Sequence, residues 1–319
     1  MIAVLCGGVG AARFLTALAH VVEPSNTVGI VNTGDDTVLH GLRISPDLDT
    51  VTYTLAEAID RDRGWGLSNE SWRAMEALQR YAAARPDGSS AAPTWFNLGD
   101  QDLATHFYRT ARLAEGATLT DVTAEICAAW GVAQRLVPMS DGRVSTVVTL
   151  ASGEDVSFQE YFVKLRHGVP VQGVRFDGAD TARLTAGLDD VLTAAECVLL
   201  APSNPIVSIG PIRALDGVDA LLEARRSSVV AISPIVGGAA LKGPADRMMS
   251  ELGHEPSVVG VARLYAPIAG TLVIDPADAH LAGAVQAQGM RAVVTPSVMS
   301  TPEIGAELAR VVLRAASGE

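Results

Sequence analysis

The sequence predicts an α/β protein with a doubly wound, mostly parallel, Rossmann-like sheet, and two observations lead to this class. First, the chain opens with an apolar run at Ile2–Cys6, a glycine turn and a helix-like stretch at Ala11–Val21, the strand–turn–helix order of such folds. Second, Thr27–Val31 has the pattern of a further strand and ends in an acidic loop, where sheets of this kind carry functional residues. Strand patterns return at Cys197–Ala201, Ser228–Ser233, Thr271–Ile274 and Arg291–Thr295. Helices are expected over Ile212–Arg225, Pro244–Leu252 and Pro302–Ala316.

Between these two ends the pattern changes to helix, which predicts an inserted subdomain. Glu70–Ala84 is amphipathic, and Leu119–Trp130 is a second helical stretch. Val144–Leu150 and Val156–Val163 flank a Ser-Gly turn and predict a β-hairpin. We therefore expect a single domain over 1–319 with a mainly helical insertion that carries the hairpin. The predicted core comprises 1–59 and 177–319, and the insertion covers about 60–176.

Composition and net charge argue against several classes of protein. The chain has 319 residues, of which 48% are hydrophobic, and a net charge of −12. The negative charge argues against a broad nucleic-acid interface, and no apolar run approaches the ~20 residues that a membrane-spanning helix needs. The N-terminus lacks the basic region of a signal peptide, so we expect a cytoplasmic protein. Three widely spaced cysteines predict buried, reduced thiols rather than disulfides or a zinc site.

A glycine turn follows the first predicted strand. Gly8 and Gly10 would let a phosphate approach the backbone, and the next helix would offer free N–H groups to it. Arg13 occupies the place of the third glycine of a dinucleotide-binding motif. A tight turn without a ligand would explain this pattern nearly as often.

Four carboxylates lie close together in the sequence. Asp35 and Asp36 share one loop, and Asp47 and Asp49 share the next, ahead of a helix predicted to start near Thr50. One carboxylate is enough to cap a helix, so four within a short segment exceed that need. Oxygen ligands without His or Cys suit Mg²⁺, which binds one or two carboxylates together with substrate phosphates.

Three further loops carry polar or small residues. Asn97–His106 is an acidic loop that leads into a helix, and its charges would also stabilise the helix dipole without any ligand. Ala201–Pro211 and Ser233–Pro244 each follow a predicted strand and offer backbone N–H groups and hydroxyls. Such loops are common in α/β proteins, but two of them at carboxyl ends of strands favour a ligand crevice.

Taken together, these segments resemble the 2-phospho-L-lactate transferase (CofD-like) family of coenzyme F-420 biosynthesis. The matching stretches follow the family order over nearly the whole chain. They are Gly7–Phe14, Asn32–Asp36, Gly41–Thr50, Leu98–His106, Phe158–Val163, Ala201–Ile212 and Ser233–Pro244. The runs SPDLDT, LGDQDLATH and PSNPIVSIGP are the most specific of them.

The resemblance implies a reaction. The terminal ribityl hydroxyl of the deazaflavin precursor Fo would attack the distal phosphorus of a guanosine diphosphate that carries a three-carbon acid. GMP would leave, and a phosphodiester would remain. The glycine motif is more similar to that of bacterial members, which are associated with a phosphoenolpyruvyl unit, than to archaeal members, which transfer 2-phospholactyl. A homodimer is also implied.

The resemblance further suggests roles for individual residues. Asp35 and Asp49 are the leading Mg²⁺ ligands and catalytic residues, with Asp36 and Asp47 as second candidates. Asp49, Asp47 and Asn97 would contact Fo. The residues expected to bind the nucleotide and its phosphates are Gly8, Gly10, Arg13, Ser203, Asn204, Ser208, Gly210 and Lys242.

Two other interpretations stay open at this point. A dehydrogenase could use the same type of sheet, although it would need a glycine where Arg13 stands. A regulatory protein that binds a nucleotide sugar or dinucleotide, similar to the gluconeogenesis-factor branch of the superfamily, would share the glycine turn and one acidic loop. We would not expect such a protein to carry both SPDLDT and LGDQDLATH.

Overall fold

A computed structural model describes residues 1–318, which form fourteen strands and twelve α-helices. The strands are β1 (Ile2–Cys6), β2 (Thr27–Val31), β3 (Thr37–Leu39), β4 (Leu42–Ile44), β5 (Arg135–Pro138), β6 (Ser145–Leu150), β7 (Asp155–Ser157), β8 (Val171–Asp177), β9 (Cys197–Leu200), β10 (Val229–Ile232), β11 (Ile235–Val236), β12 (Ala239–Ala240), β13 (Thr271–Ile274) and β14 (Arg291–Val294). The α-helices are α1 (Gly8–Ala19), α2 (Pro46–Leu55), α3 (Arg73–Ala84), α4 (Asp100–Ala114), α5 (Leu119–Ala129), α6 (Leu188–Ala194), α7 (Gly210–Arg213), α8 (Val218–Ala224), α9 (Ala245–Glu251), α10 (Val258–Tyr265), α11 (Ala282–Ala287) and α12 (Pro302–Ser317). Short helical turns occupy Pro24–Asn26, Glu160–Lys164, Arg226–Ser228 and Pro276–Leu281.

The central sheet has seven strands in the order β14-β13-β10-β9-β1-β2-β5, and each neighbouring pair is parallel. The chain first builds outward from β1 to β5 and then returns to place β9 on the other side of β1. The topological switch point therefore lies between β1 and β9, where the loops after these two strands meet. This arrangement confirms the predicted doubly wound, parallel sheet.

Both faces of this sheet are covered. Along β1, Ala3 and Leu5 belong to one buried apolar cluster, and Ile2, Val4 and Cys6 belong to the other. Alternate residues of a strand point to opposite faces, so one short strand contributes to both layers of the core. Burial on both faces explains why the strand reads as a continuous apolar run.

Several elements differ from the sequence-based expectations. β5 pairs with β2 as an edge strand of the central sheet, although its residues lie within the predicted insertion. The predicted hairpin, β6 and β7, gains β8 as a third antiparallel strand. The helix predicted over Ile212–Arg225 is divided into α7 and α8, because Gly217 adopts a positive φ of 81° between them.

Two observations concern the surroundings of the protein. Cys6, Cys127 and Cys197 are buried and unbridged, as the sequence analysis expected. No helix within residues 1–318 is both long enough and apolar enough to cross a membrane.

Candidate active site

Asn32, the first residue after β2, connects three segments of the site. Its Nδ2 donates to Asp47 Oδ2 at 2.9 Å and lies 3.4 Å from both Asp35 Oδ1 and the carbonyl oxygen of Val207. Its Oδ1 accepts a hydrogen bond from the Gly34 amide at 2.8 Å, which shapes the acidic turn after β2. Asn32 therefore holds this turn, the start of α2 and the loop after β9 together.

Asp35, Asp36 and Asp47 form what we call the acidic cluster. Gln159 Nε2 donates to Asp35 Oδ2 at 3.2 Å, and Ser45 Oγ donates to Asp36 Oδ2 at 2.7 Å. The side-chain donors to the cluster are thus neutral amides and a hydroxyl. Among residues 1–318, no Lys, Arg or His lies within salt-bridge distance of these three carboxylates.

Burial and mutual repulsion make the charged form of the acidic cluster unfavourable. Burial, followed by the charges of Asp47 and Asp36, raises the pKa of Asp35 well above its usual range. Burial raises the pKa of Asp36 to about 8 and that of Asp47 to about 6, although hydrogen bonds to their charged forms oppose both shifts. A cation bound among these carboxylates would relieve both the repulsion and the burial cost.

The glycine turn after β1 lies directly against the acidic cluster. A Cβ atom on Gly7 would lie 2.4 Å from Asp47 Oδ2 and 3.0 Å from Ser208 Cβ, so no side chain fits there. Gly8, with a φ of 74°, begins α1. Ser203 Oγ accepts from the Gly7 amide at 3.2 Å and donates to the Gly7 carbonyl at 2.8 Å. The loops after β1 and β9 therefore meet beside Asp47, at the switch point.

A second group of polar residues, the arginine network, is built around Arg109 of α4. Its guanidinium binds both carboxylate oxygens of Asp49, with Nη1 3.2 Å from Oδ2. The same Nη1 lies 3.3 Å from His106 Nδ1, and His106 Nε2 lies 3.3 Å from Asp102 Oδ1. Tyr53 completes the network by donating its hydroxyl hydrogen to Asp102 at 2.8 Å.

The arginine network supplies a countercharge for Asp49 and hydrogen-bond donors for Asp102. Arg109 is only 2% exposed and balances Asp49. An arginine cannot accept a hydrogen bond, so His106 Nδ1 must accept from it, which leaves the Nε2 proton facing Asp102. Burial tends to raise the pKa of Asp102, but hydrogen bonds from His106 and Tyr53 prevail and lower it. The network thus pairs Asp49 with a cation, although Arg109 Nε and His106 Nε2 are buried without a well-aligned hydrogen-bond partner in the described chain.

Asp49, Asp102 and His106 also present ligand atoms that all lie within 4.8 Å of one another. This buried group could bind a metal ion. Arg109 already neutralises Asp49, however, and Asp102 already accepts the hydroxyl of Tyr53. The demand for a cation is therefore greater in the acidic cluster.

The start of α2 explains why Asp47 and Asp49 belong to different groups. The helix begins at Pro46, not near Thr50 as expected, because a proline is well suited to the first helical position. Both aspartates therefore lie in the first helical turn. Side chains two positions apart on a helix project in nearly opposite directions, so Asp47 faces Asn32 and Asp49 faces Arg109.

Several residues expected to bind the nucleotide have a structural role. Asn204 Oδ1 accepts from the amides of Ile206 and Val207 at 2.9 and 3.3 Å and so shapes the loop after β9. A Cβ on Gly10 would lie 2.2 Å from the carbonyl oxygen of Pro202, so this glycine allows two loops to touch. A Cβ on Gly210, the first residue of α7, would lie 3.0 Å from a ring atom of Phe176.

Three other residues of the predicted site lie at the surface. Arg13 and Asn97 are exposed and make no side-chain hydrogen bond that the structure describes within residues 1–318. Lys242 is also exposed, and its Nζ lies 2.5 Å from where a Cβ of Gly64 would stand. None of the hydrogen bonds described for the acidic cluster within residues 1–318 involves these three side chains.

Sequence reasoning gave no role to three residues that hold the site together. Asn32 and Gln159 lie inside the stretches Asn32–Asp36 and Phe158–Val163, which match the family, but no local pattern distinguishes these two side chains. Arg109 lies just beyond LGDQDLATH. Its spacing of three from His106 and seven from Asp102 places all three on one helix face, which was a usable signal.

The fold and the site define the class of this protein: a doubly wound α/β protein with an acidic crevice at the topological switch point, where such folds bind their ligands. The family described as 2-phospho-L-lactate transferase CofD matches residues 2–301. The chain belongs to this family.

Relatives and a solved structure agree with this assignment. A phosphoenolpyruvate transferase from Kitasatospora aureofaciens is 41% identical over 98% of this chain and 96% of its own length. Phosphoenolpyruvate transferases from Nocardia farcinica and Mycolicibacterium smegmatis are each 39% identical, over 98% and 97% of this chain and 93% and 96% of their own lengths. The crystal structure of a UPF0052 family protein from Bacillus halodurans matches 98% of both chains with a TM-score of 0.60. At 12% identity, it supports the fold alone.

Proposed function

We propose that this chain is a Mg²⁺-dependent transferase of coenzyme F-420 biosynthesis. It transfers a phosphoenolpyruvyl or 2-phospholactyl unit from a guanosine diphosphate-linked donor to the terminal ribityl hydroxyl of Fo and releases GMP. Family membership and relatives named phosphoenolpyruvate transferase support this reaction class. The bacterial relatives favour the phosphoenolpyruvyl unit.

The observation that carries the proposal is the acidic cluster at the switch point. Three carboxylates converge there without a cationic side chain of residues 1–318 in salt-bridge contact, and two of them have pKa values raised to about 6 and about 8. Arg109 compensates Asp49 in the neighbouring network, whereas the acidic cluster can be neutralised only by protons or by a bound cation. A divalent cation that also binds the substrate diphosphate would supply the missing positive charge.

The residues of the acidic cluster fit a hard divalent cation. Asp35, Asp36 and Asp47 offer carboxylate oxygens, and Asp36 Oδ1 is buried without a hydrogen-bond partner in the described chain. When bound, the cation would neutralise charge on the diphosphate and on its transition state. Asp49, first expected to be a ligand, is held by Arg109 and suits contact with the acceptor instead.

The remaining chemistry is positioning and proton transfer. The hydroxyl oxygen of Fo forms a bond to the distal phosphorus, and the bond from that phosphorus to the bridging oxygen breaks, so GMP leaves with the electron pair. Asp49, oriented by Arg109, would accept a hydrogen bond from the attacking hydroxyl. The hydroxyl proton would pass to a nearby carboxylate. Asp35 would act on the phosphate side of the site, as one of the carboxylates that hold the cation.

Turnover assays with purified protein test the proposal directly. We expect GMP and a phosphodiester of Fo to form in equal amounts when Fo, a guanylylated three-carbon phospho-acid and Mg²⁺ are all present. Mass spectrometry of the product would identify the acid. Full turnover in excess EDTA would contradict the role of the metal. Tight binding of a dinucleotide or nucleotide sugar, without turnover or binding of GDP, would favour the regulatory alternative.

A further inference from the structure

A cleft of about 550 Å³ lies on the side of the acidic turn that faces the three-stranded sheet β7-β6-β8. The acidic turn contributes Asp35 and Asp36, and the sheet contributes Thr146. The Thr146 amide donates to the Gly34 carbonyl at 2.7 Å, which fixes the sheet against the turn. The cleft is therefore continuous with the acidic cluster and large enough for part of a substrate.

Arg143 is the cation among the described residues that line this cleft. Its Nε donates to Ser145 Oγ at 3.2 Å, and no carboxylate of residues 1–318 pairs with it. Two acidic residues on the cleft wall, Asp155 and Asp177, are instead bound by Arg175 at 2.7 and 2.8 Å. The terminal nitrogens of Arg143 thus remain available to a ligand, and their planar fork suits a carboxylate.

Thr146 gives an independent indication of a ligand. The residue lines the cleft and is 2% exposed, yet its Oγ1 has no hydrogen-bond partner within the described part of the chain. Leaving a buried hydroxyl unpaired costs stability, so such groups usually have a partner in the functional state. Because Oγ1 is covered by the acidic turn, a rotation of this side chain toward the cleft would be needed for an acceptor atom of a bound substrate to provide one.

We propose that Arg143 and Thr146 form the subsite that binds the carboxylate of the donor's three-carbon acid. This inference rests on the proposed function. In the donor, the carboxylate is attached to the same carbon atom as the phosphoester oxygen, so it must lie beside the phosphate. A phosphate at the acidic cluster therefore brings the carboxylate to the adjoining cleft. The net negative cleft would admit it only through Arg143, which makes this residue a determinant of specificity.

A pair of ligands that differ only in the carboxylate tests the subsite. The lactate ester of guanosine diphosphate carries the carboxylate, and the ethyl ester lacks it. Calorimetry with Mg²⁺ should show that the wild-type protein binds the lactate ester at least ~10-fold more tightly. Arg143→Gln should abolish this preference and leave the affinity for the ethyl ester unchanged.

Three further variants separate charge, geometry and general effects. Arg143→Lys keeps the charge without the planar fork and should retain part of the preference. Thr146→Val should reduce the preference without lowering the melting temperature, because the hydroxyl has no protein partner. Arg183→Gln removes an exposed charge that is paired with Asp216 and does not line the cleft, and it should change neither affinity.

The possible outcomes distinguish the two proposals. If the wild-type protein binds both esters equally, or if Arg143→Gln keeps the preference, the subsite is wrong while the transferase proposal stands. If GDP and both esters fail to bind to the folded wild-type protein, the proposed function itself is wrong, and the subsite falls with it.

Discussion

The acidic cluster and the arginine network are neighbours, and their buried carboxylates have different partners. Helix α2 contributes to both, through Asp47 on one side and Asp49 on the other. In the arginine network, Arg109 balances the charge of Asp49. In the acidic cluster, the carboxylates receive hydrogen bonds from neutral side chains, and burial and repulsion raise their pKa values.

This difference suggests separate roles: the arginine network holds Asp49 without a ligand, whereas the acidic cluster is suited to binding one. Buried, paired charges fix side-chain positions, and breaking such a pair is costly. Buried charges of one sign store unfavourable energy that a bound cation can release. We therefore regard the arginine network as the rigid support that positions Asp49, and the acidic cluster as the place where the substrate binds.

The largest effect should follow from breaking the arginine network. Arg109→Met should lower the free energy of unfolding by ~3–5 kcal/mol, because it leaves the buried Asp49 carboxylate unpaired. Arg112→Met, one turn along the same helix, should cost far less, since Arg112 and its partners Glu115 and Glu125 are at least partly exposed. Urea unfolding of both variants measures the difference. Equal losses of unfolding free energy in the two variants would show that the contacts of Arg109 stabilise the fold no more than a surface ion pair does.

The next prediction separates activity from stability. Asp35→Asn should lower kcat at least ~10²-fold, through loss of charge at the phosphate side, without destabilising the metal-free protein. Asp49→Asn should also lower kcat, but it should cost ~3–5 kcal/mol of stability as well, because Arg109 is left buried without its partner. Melting curves in EDTA and rates with Mg²⁺ provide the two measurements. Wild-type rates in both variants would mean that the carboxylates only shape the fold.

The sequence was sufficient to predict the sheet and to single out the four aspartates as candidates, because both depend on local patterns. The apolar runs at β1, β2, β9 and β13 have the composition of strands buried on both faces. The division of four aspartates into two groups could not be predicted in the same way. It depends on the first turn of α2 starting at Pro46 and on Arg109 reaching Asp49 from sixty positions along the chain.

The edge strand β5 was missed for a related reason. Four residues, of which only three are buried, give a weak pattern, and only their pairing with β2 identifies them as part of the central sheet. The role of Gln159 likewise depends on a contact 124 positions away in sequence, with Asp35. Tertiary contacts of this kind leave little trace in one sequence.

The stability of the metal-free protein should depend on pH through the acidic cluster. Asp36 and Asp47 have folded-state pKa values of about 8 and about 6, above the ~3.9 of an unfolded aspartate. Between the pKa of the unfolded aspartate and the pKa of each folded one, the folded protein therefore binds more protons than the unfolded protein. Stability present at low pH is lost as the pH rises, by at most ~1.4 kcal/mol per pH unit for each proton.

Urea unfolding in EDTA from pH about 5 to about 8 would measure this slope. Asp36→Asn should flatten it, and Mg²⁺ should reduce it in the wild-type protein by stabilising the charged form. If stability rises with pH instead, or if Asp36→Asn leaves the slope unchanged, the charges of the acidic cluster are already compensated within the protein.

The smallest effect is expected at the end of the arginine network farthest from the acidic cluster. Tyr53→Phe removes the hydroxyl that donates to Asp102, while His106 Nε2 remains 3.3 Å from the same carboxylate oxygen. Loss of one hydrogen bond to a charged group should cost ~1.5–3 kcal/mol at most, and less here because His106 still offers a proton. Tyr265→Phe is a matched control: that hydroxyl is also buried, but it has no hydrogen-bond partner within residues 1–318. Its removal should leave stability unchanged or slightly higher. A larger loss for Tyr265→Phe than for Tyr53→Phe would show that the hydrogen bond to Asp102 contributes nothing to the network.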